Sequence, residues 1–135
     1  MIHTFGAAPG NRTLVVFIHG DGTKGGPSDY LDKSAEKVAG GGVTAVALIR
    51  PGYYDSHDAT STGTSYRHAG DGYRDEIVAA VAAAIDEVKD HHRARRVVLA
   101  GRPGPNGDAL HVVDGHRIDE AADLGAVEED ARADR

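Results

Sequence analysis

The sequence has no cysteine and no tryptophan among its 135 residues. Without cysteine, the protein can form no disulfide bond, carries no thiolate nucleophile and offers no cysteine ligand for zinc. Its aromatic side chains are limited to five tyrosines and two phenylalanines, so the core has to be built mainly from valine, alanine, leucine and isoleucine. A chain of this length is expected to form one domain, residues 1–135, around a single core.

Long apolar runs and an excess of basic charge are also missing. No run approaches the ~18 consecutive apolar residues of a membrane span, and the first six residues, MIHTFG, lack the basic and apolar segments of a signal peptide. The formal net charge is −6, whereas a surface that binds nucleic acid needs a basic stripe. We therefore expect a cytoplasmic protein without a membrane or nucleic-acid partner.

Three continuous apolar runs, rich in β-branched residues, predict strands: Thr13–Ile18, Val43–Ile49 and Arg96–Ala100. None of them alternates apolar with polar residues, which is typical of parallel strands that are buried on both faces. A shorter run, Leu110–Asp114, predicts a fourth strand.

Two segments between these strands predict helices. Ser28–Ala39 has apolar residues at helical spacing, with Ser28 as a capping residue, and it ends at the stop signal Gly40–Gly42. Gly72–His92 has an apolar face at three- and four-residue steps and basic residues in its last turn. The order βαβαβ predicts an α/β fold, a three-layer sandwich with a short parallel sheet and Thr13–Ile18 at its centre.

The polar segment Arg50–Ala69 predicts a long surface loop. Side chains in or beside it could ligate a hard metal ion: Asp55, His57, Asp58, His68 and Asp71. No regular spacing fixes their geometry, so we expect a solvated loop and no metal site. Its serines do not follow a strand at a sharp strand-to-helix turn, so none of them is assigned as a nucleophile.

The stretch LVVFIHGDG, residues 14–22, resembles the strand and oxyanion loop of the α/β-hydrolase superfamily. Residues 25–56 resemble the helix, strand and loop that come next in that fold, and residues 70–101 resemble the helix and strand that lead to its nucleophile elbow. The resemblance covers about residues 13–101 and implies a partial α/β-hydrolase-like fold. Residues 102–135 form a divergent tail, as in a truncated relative.

The resemblance implies roles for individual residues. The backbone N–H of Asp21 would be an oxyanion donor, while His19 would be structural. The elbow pattern G-x-S-x-G begins correctly at Gly101, but Pro103 stands at the serine position and Pro105 at the final glycine. We therefore expect a serine esterase or lipase by resemblance, for a small ester or amide substrate, that is catalytically impaired.

His116, in LHVVDGHRIDEAA, is a candidate for the catalytic base of the same family. The alternative interpretation is a turn histidine at the start of a helix. A base without a nucleophile does not make a serine hydrolase, so His116 does not change the expectation.

Two other functions stay open. Gly20–Gly25 fits the dinucleotide pattern G-x-G-x-x-G, and Arg50 after the second strand could bind the 2′-phosphate of an NADP-type nucleotide; otherwise we expect no cofactor. The chain could also be a non-catalytic binding or assembly module. Exposed edges of a short sheet favour a homodimer.

Overall fold

The computed structural model describes residues 1–20, 26–64, 74–101 and 109–113. The elements are β1 (Ile2–Phe5), β2 (Thr13–Ile18), α1 (Asp32–Val38), β3 (Val43–Leu48), α2 (Asp75–His92), β4 (Arg96–Gly101) and β5 (Ala109–Val113). The strands form one sheet in the order β1-β3-β2-β4-β5. None of the helices in these ranges is long and apolar enough to cross a membrane.

The sheet is mixed, so the prediction of a purely parallel sheet was wrong at its edges. β2 lies at the centre and pairs in parallel with β3 and β4, as predicted. β1 pairs antiparallel with β3, and β5 pairs antiparallel with β4. The connection 102–108 is much shorter than the dozen or so residues that a parallel crossover requires, so β5 has to run antiparallel.

Each face of the sheet is covered by one helix. Alternate residues of β2 point to opposite faces. Leu14 and Val16 belong to the apolar cluster that includes Ile85 of α2. Val15 belongs to the other cluster, which includes Ala35 of α1. The protein is therefore a small α/β fold with its core in two apolar layers, one on either side of the central strands.

Helix α1 begins at Asp32 rather than at Ser28, and the predicted capping role of Ser28 was wrong. Leu31 occupies the N-cap position. Ser28 is buried, and its backbone N–H donates to the carbonyl of Tyr54 at 2.8 Å. The predicted stop is confirmed, because the helix ends before Gly40–Gly42, and all three glycines have a positive φ.

The segment after β3 is exposed at residues 56–60 and 62–64, as predicted for a surface loop, but part of it is buried. Arg50, Tyr53, Asp55 and Ser61 are buried. The segment folds back on itself through hydrogen bonds from Gly52 N–H to Ser61 O, from Ser61 N–H to Tyr53 O and from Asp55 N–H to Ala59 O. Because the backbone groups of the segment form these hydrogen bonds, its residues Arg50, Tyr53, Asp55 and Ser61 can be buried although the segment is polar.

Candidate functional site

The three parallel strands end at one edge of the sheet. Ile18 at the end of β2 is level with Leu48 of β3 and with Gly101 of β4. Ligands of open α/β sheets bind outside such carboxyl ends. The strand ends are closely packed, because a Cβ atom added to Gly101 would lie 3.2 Å from the carbonyl oxygen of Ile18. This edge is the place where the sequence predicted a site.

His19 joins the ends of β2 and β3. Its side chain is buried, with 2% exposed. Nε2 accepts the backbone N–H of Arg50 at 3.0 Å, so the proton of the neutral ring is on Nδ1, which lies 2.9 Å from the carbonyl oxygen of Gly20. The ring also makes an edge contact with Tyr53, with centroids 4.6 Å apart. Both ring nitrogens are therefore occupied by backbone groups, and His19 positions the loop.

Tyr30 fixes the next residue of that loop. Its hydroxyl oxygen accepts the backbone N–H of Gly20 at 3.0 Å, and half of the Tyr30 side chain stays exposed. The ring lies edge-on to His19 at 6.5 Å. The first residue of the predicted oxyanion loop, Gly20, is therefore positioned by Tyr30, which precedes α1, and His19 is packed against Tyr53 of the loop after β3. Asp21 itself lies outside the described residues.

Arg50, the residue that could bind a 2′-phosphate in the dinucleotide alternative, is buried just after β3. Its side chain is only 1% exposed, and its guanidinium lies 5.0 Å from the centroid of the Tyr53 ring, as a cation–π contact. This burial gives no support to Arg50 as the ligand of a 2′-phosphate. Of the proposed glycine-rich pattern, residues 21–25 lie outside the described part of the chain.

A second polar cluster lies beside this edge, on the α1 face. His3 of β1 places Nδ1 2.7 Å from Oδ2 of Asp32 and Nε2 3.3 Å from Oδ2 of Asp55. One histidine therefore connects the edge strand, helix α1 and the loop after β3. The sequence analysis missed His3, because the four residues Ile2–Phe5 do not alternate apolar with polar side chains and so give no strand signal.

The surroundings of Asp55 favour its ionised form. Burial acts to raise the pKa of Asp55, but hydrogen bonds from the N–H groups of Ala59 and His57 and the charge of His3 outweigh it, and the pKa lies below its ordinary value. Asp29 behaves in the same way: burial raises its pKa, and hydrogen bonds from the hydroxyl and N–H of Ser56 bring it lower.

The described members of the candidate metal-ligand set, Asp55, His57 and Asp58, do not form a metal site. Asp55 contacts His3, the backbone of His57 donates to the Asp55 carboxylate, and Asp58 is exposed. In the described ranges no group of three histidine or acidic side chains could hold a metal ion. His68 and Asp71 lie outside those ranges.

The described serines do not form a nucleophile–base pair. Ser56 Oγ donates to Asp29 at 2.5 Å, and Ser61 Oγ accepts the amine of Met1 at 2.7 Å. No described serine hydrogen-bonds a described histidine ring. Pro103 and the candidate base His116 lie outside the described residues.

The elbow positions after Gly101, residues 102–105, lie outside the described part of the chain. An elbow is a sharp turn from a strand into a helix. Here the next described element after β4 is a strand, with Gly101 paired antiparallel with Ala109.

Comparison of the chain with protein-family models, with curated proteins and with solved structures finds no match. The functional assignment therefore depends on the chain's own residues.

Proposed function

We propose that the protein is an α/β-hydrolase-like domain, esterase- or lipase-like by resemblance, that binds a small ester or amide without hydrolysing it through a serine. The observation that carries this proposal is the end of β4. Gly101 pairs with Ala109 of an antiparallel strand, and Pro103 stands where the elbow requires serine. Proline supplies neither a hydroxyl nor an N–H.

Ligand binding is supported by the rigid segment at the end of β2. His19 and Tyr30 fix the carbonyl and the N–H of Gly20. Backbone amides that are fixed in this way before a ligand arrives can stabilise negative charge on a carbonyl oxygen at little reorganisation cost. The N–H of Asp21 follows directly, and its role as a donor to the ligand oxygen is part of the proposal.

Loss of hydrolysis is supported by the histidines near this edge. A serine nucleophile needs a base that can accept its proton. His19 has both nitrogens on backbone groups, and His3 has both nitrogens on carboxylates. Neither ring is available to a hydroxyl in this arrangement.

Labelling with a fluorophosphonate probe and turnover of p-nitrophenyl butyrate test the catalytic half of the proposal. We expect no labelling and no turnover above that of heat-denatured protein. The variants Ser28→Ala, Ser56→Ala and Ser61→Ala serve as matched controls. Stoichiometric labelling that one of these substitutions abolishes would show an active serine and refute this half.

Titration with p-nitroacetanilide, followed by amide NMR, tests the binding half. We expect saturable shifts centred on Gly20 and Arg50, and weaker binding by Tyr30→Phe, because the Gly20 N–H loses its acceptor. Lys33→Gln, an exposed position on α1, is the control and should bind as the wild type does. Shifts absent from Gly20 and Arg50 at the solubility limit would contradict a binding site at this edge.

A further inference from the structure

A concave surface lies at the end of the sheet opposite to the candidate site, where the parallel strands begin. It is an open cleft of about 490 Å³ between residues 7–12 and the C-terminal end of α2. Its lining includes two arginines and two histidines: Arg12, His91, His92 and Arg93. We propose that this cleft binds a small phosphate ester, whose phosphate is recognised by Arg12 and Arg93.

One wall of the cleft is a preformed turn. The Asn11 N–H donates to the carbonyl of Ala8 at 3.2 Å. Pro9 and Gly10, with a φ of +89°, occupy the central positions, as in a type II turn. The Asn11 side chain donates to the Gly6 carbonyl and to the hydroxyl of Thr44, each at 3.0 Å. This wall is therefore fixed to β3.

The other wall is attached to the first through Arg12. Its carbonyl oxygen accepts the N–H of Arg95 at 2.8 Å and the N–H of Arg96 at 3.1 Å. These two residues follow Arg93 closely, so the backbone holds arginines from two separate segments at one place. A site that is already assembled loses little conformational entropy when a ligand binds.

Arg93 occupies a backbone position that does not favour arginine. Its φ is +52° and its ψ is +38°, the left-handed conformation that glycine adopts most easily after a helix. The end of α2 is capped by N–H bonds from Arg93 to Asp90 and from Ala94 to Lys89. Glycine would make the same bonds without a Cβ atom, so the backbone conformation at this position does not require an arginine.

The cleft is lined by basic side chains, although the net charge of the whole chain is negative. The protein has a net charge of −6, yet the cleft is lined by Arg12 and Arg93, and the Arg12 carbonyl is bonded to the N–H groups of Arg95 and Arg96. A cation at the end of a helix is stabilised by the helix dipole, which accounts for Arg93 but not for Arg12, a residue outside the helix. Adjacent like charges repel each other, and a bound anion would relieve that repulsion.

The chemistry and the size of the cleft fit a phosphate ester. Guanidinium groups bind phosphate oxygens through paired N–H donors. The volume lies within the range of small-molecule sites and leaves room for an organic group beyond the phosphate. The rings of His91 and His92 form part of the wall, edge to face with centroids 4.8 Å apart, and offer further donors.

Calorimetric titration with glycerol 3-phosphate, AMP and inorganic phosphate tests this proposal, with glycerol and adenosine as uncharged counterparts. We expect saturable binding of an ester, no binding of its uncharged counterpart, and weaker binding of inorganic phosphate. Arg12→Gln and Arg93→Gly should each weaken ester binding about tenfold or more, as expected when a hydrogen bond to a charged group is lost. Lys33→Gln, outside the cleft, should change it less than about twofold.

Arg93→Gly is the decisive variant, because glycine suits the backbone there and the protein should remain folded by circular dichroism. The proposal is overturned if neither ester shows saturable binding up to about 10 mM, a concentration well above the dissociation constant of a specific site. It is equally overturned by inorganic phosphate binding as tightly as the esters, or by Lys33→Gln weakening binding as much as Arg93→Gly does.

Discussion

Replacement of His19 should destabilise the fold by an amount that can be divided between its hydrogen bonds and its ring. In His19→Phe the ring volume stays, but the buried N–H of Arg50 loses its acceptor. An unsatisfied buried donor costs about 1–3 kcal/mol, so we expect a loss of about 2 kcal/mol in the free energy of unfolding. His19→Ala also removes the contact with Tyr53, which adds about 1 kcal/mol or more.

A glutamine at this position separates the two contributions. The Oε1 atom of His19→Gln can accept the N–H of Arg50 in place of Nε2, while the ring contact with Tyr53 is lost. We expect this variant to be more stable than His19→Ala by about 1–2 kcal/mol. The matched control is His57→Phe, because His57 is exposed and donates to Asp55 only through its backbone.

Urea denaturation followed by circular dichroism measures these differences. Small domains have only about 5–15 kcal/mol of stability, so a loss of about 2 kcal/mol shifts the midpoint clearly. His57→Phe should unfold within about 0.5 kcal/mol of the wild type, as surface substitutions usually do. If His19→Phe also unfolds within that margin, the bond between His19 and Arg50 does not hold the strand ends together, and the reasoning is wrong.

Four further outcomes are expected. Arg93→Gly should raise the free energy of unfolding by about 1 kcal/mol in urea, because it relieves a left-handed backbone position; a loss of stability would contradict this. The lowered pKa of Asp55 stabilises the fold above its ordinary value of 3.8, and this contribution disappears as the pH falls through the lower folded value. Asp55→Asn should therefore flatten the acid limb of a pH titration of stability, and an unchanged acid limb would refute the role of this carboxylate. The double variant Pro103→Ser with Pro105→Gly restores G-x-S-x-G in sequence but should remain unlabelled by fluorophosphonate, since the next described element after β4 is the antiparallel strand β5 and not a helix; labelling would show that the two prolines alone prevent catalysis. The edge strands β1 and β5 favour a homodimer, and size-exclusion chromatography with light scattering that finds only monomer at all concentrations would exclude it.

The central strands could be predicted because their signal is local. Each of β2, β3 and β4 is a run of apolar, β-branched residues. Because both faces of these strands are buried, their sequences are continuously apolar, which is typical of a parallel strand. β1 could not be predicted in the same way. It has four residues, of which His3 and Thr4 are polar, and its place beside β3 depends on pairing with residues forty or more positions away.

The candidate site was predicted in part. The sequence located the carboxyl edge and the structural role of His19, but it did not show that Arg50 and Asp55 are buried. Asp55 is buried against His3, a partner from a distant segment, and Arg50 lies beside His19 at the end of β2, which accepts its backbone N–H. Polar composition predicts solvent exposure only where such partners are absent.

The carbonyl of Arg12, which accepts two N–H groups from the α2–β4 connection, has a kinetic consequence. It links both walls of the basic cleft, so the cleft cannot widen for an entering molecule without breaking those bonds. Association should then occur in one step, without a preceding conformational equilibrium. In stopped-flow mixing, the observed rate should rise linearly with ligand concentration and show no plateau.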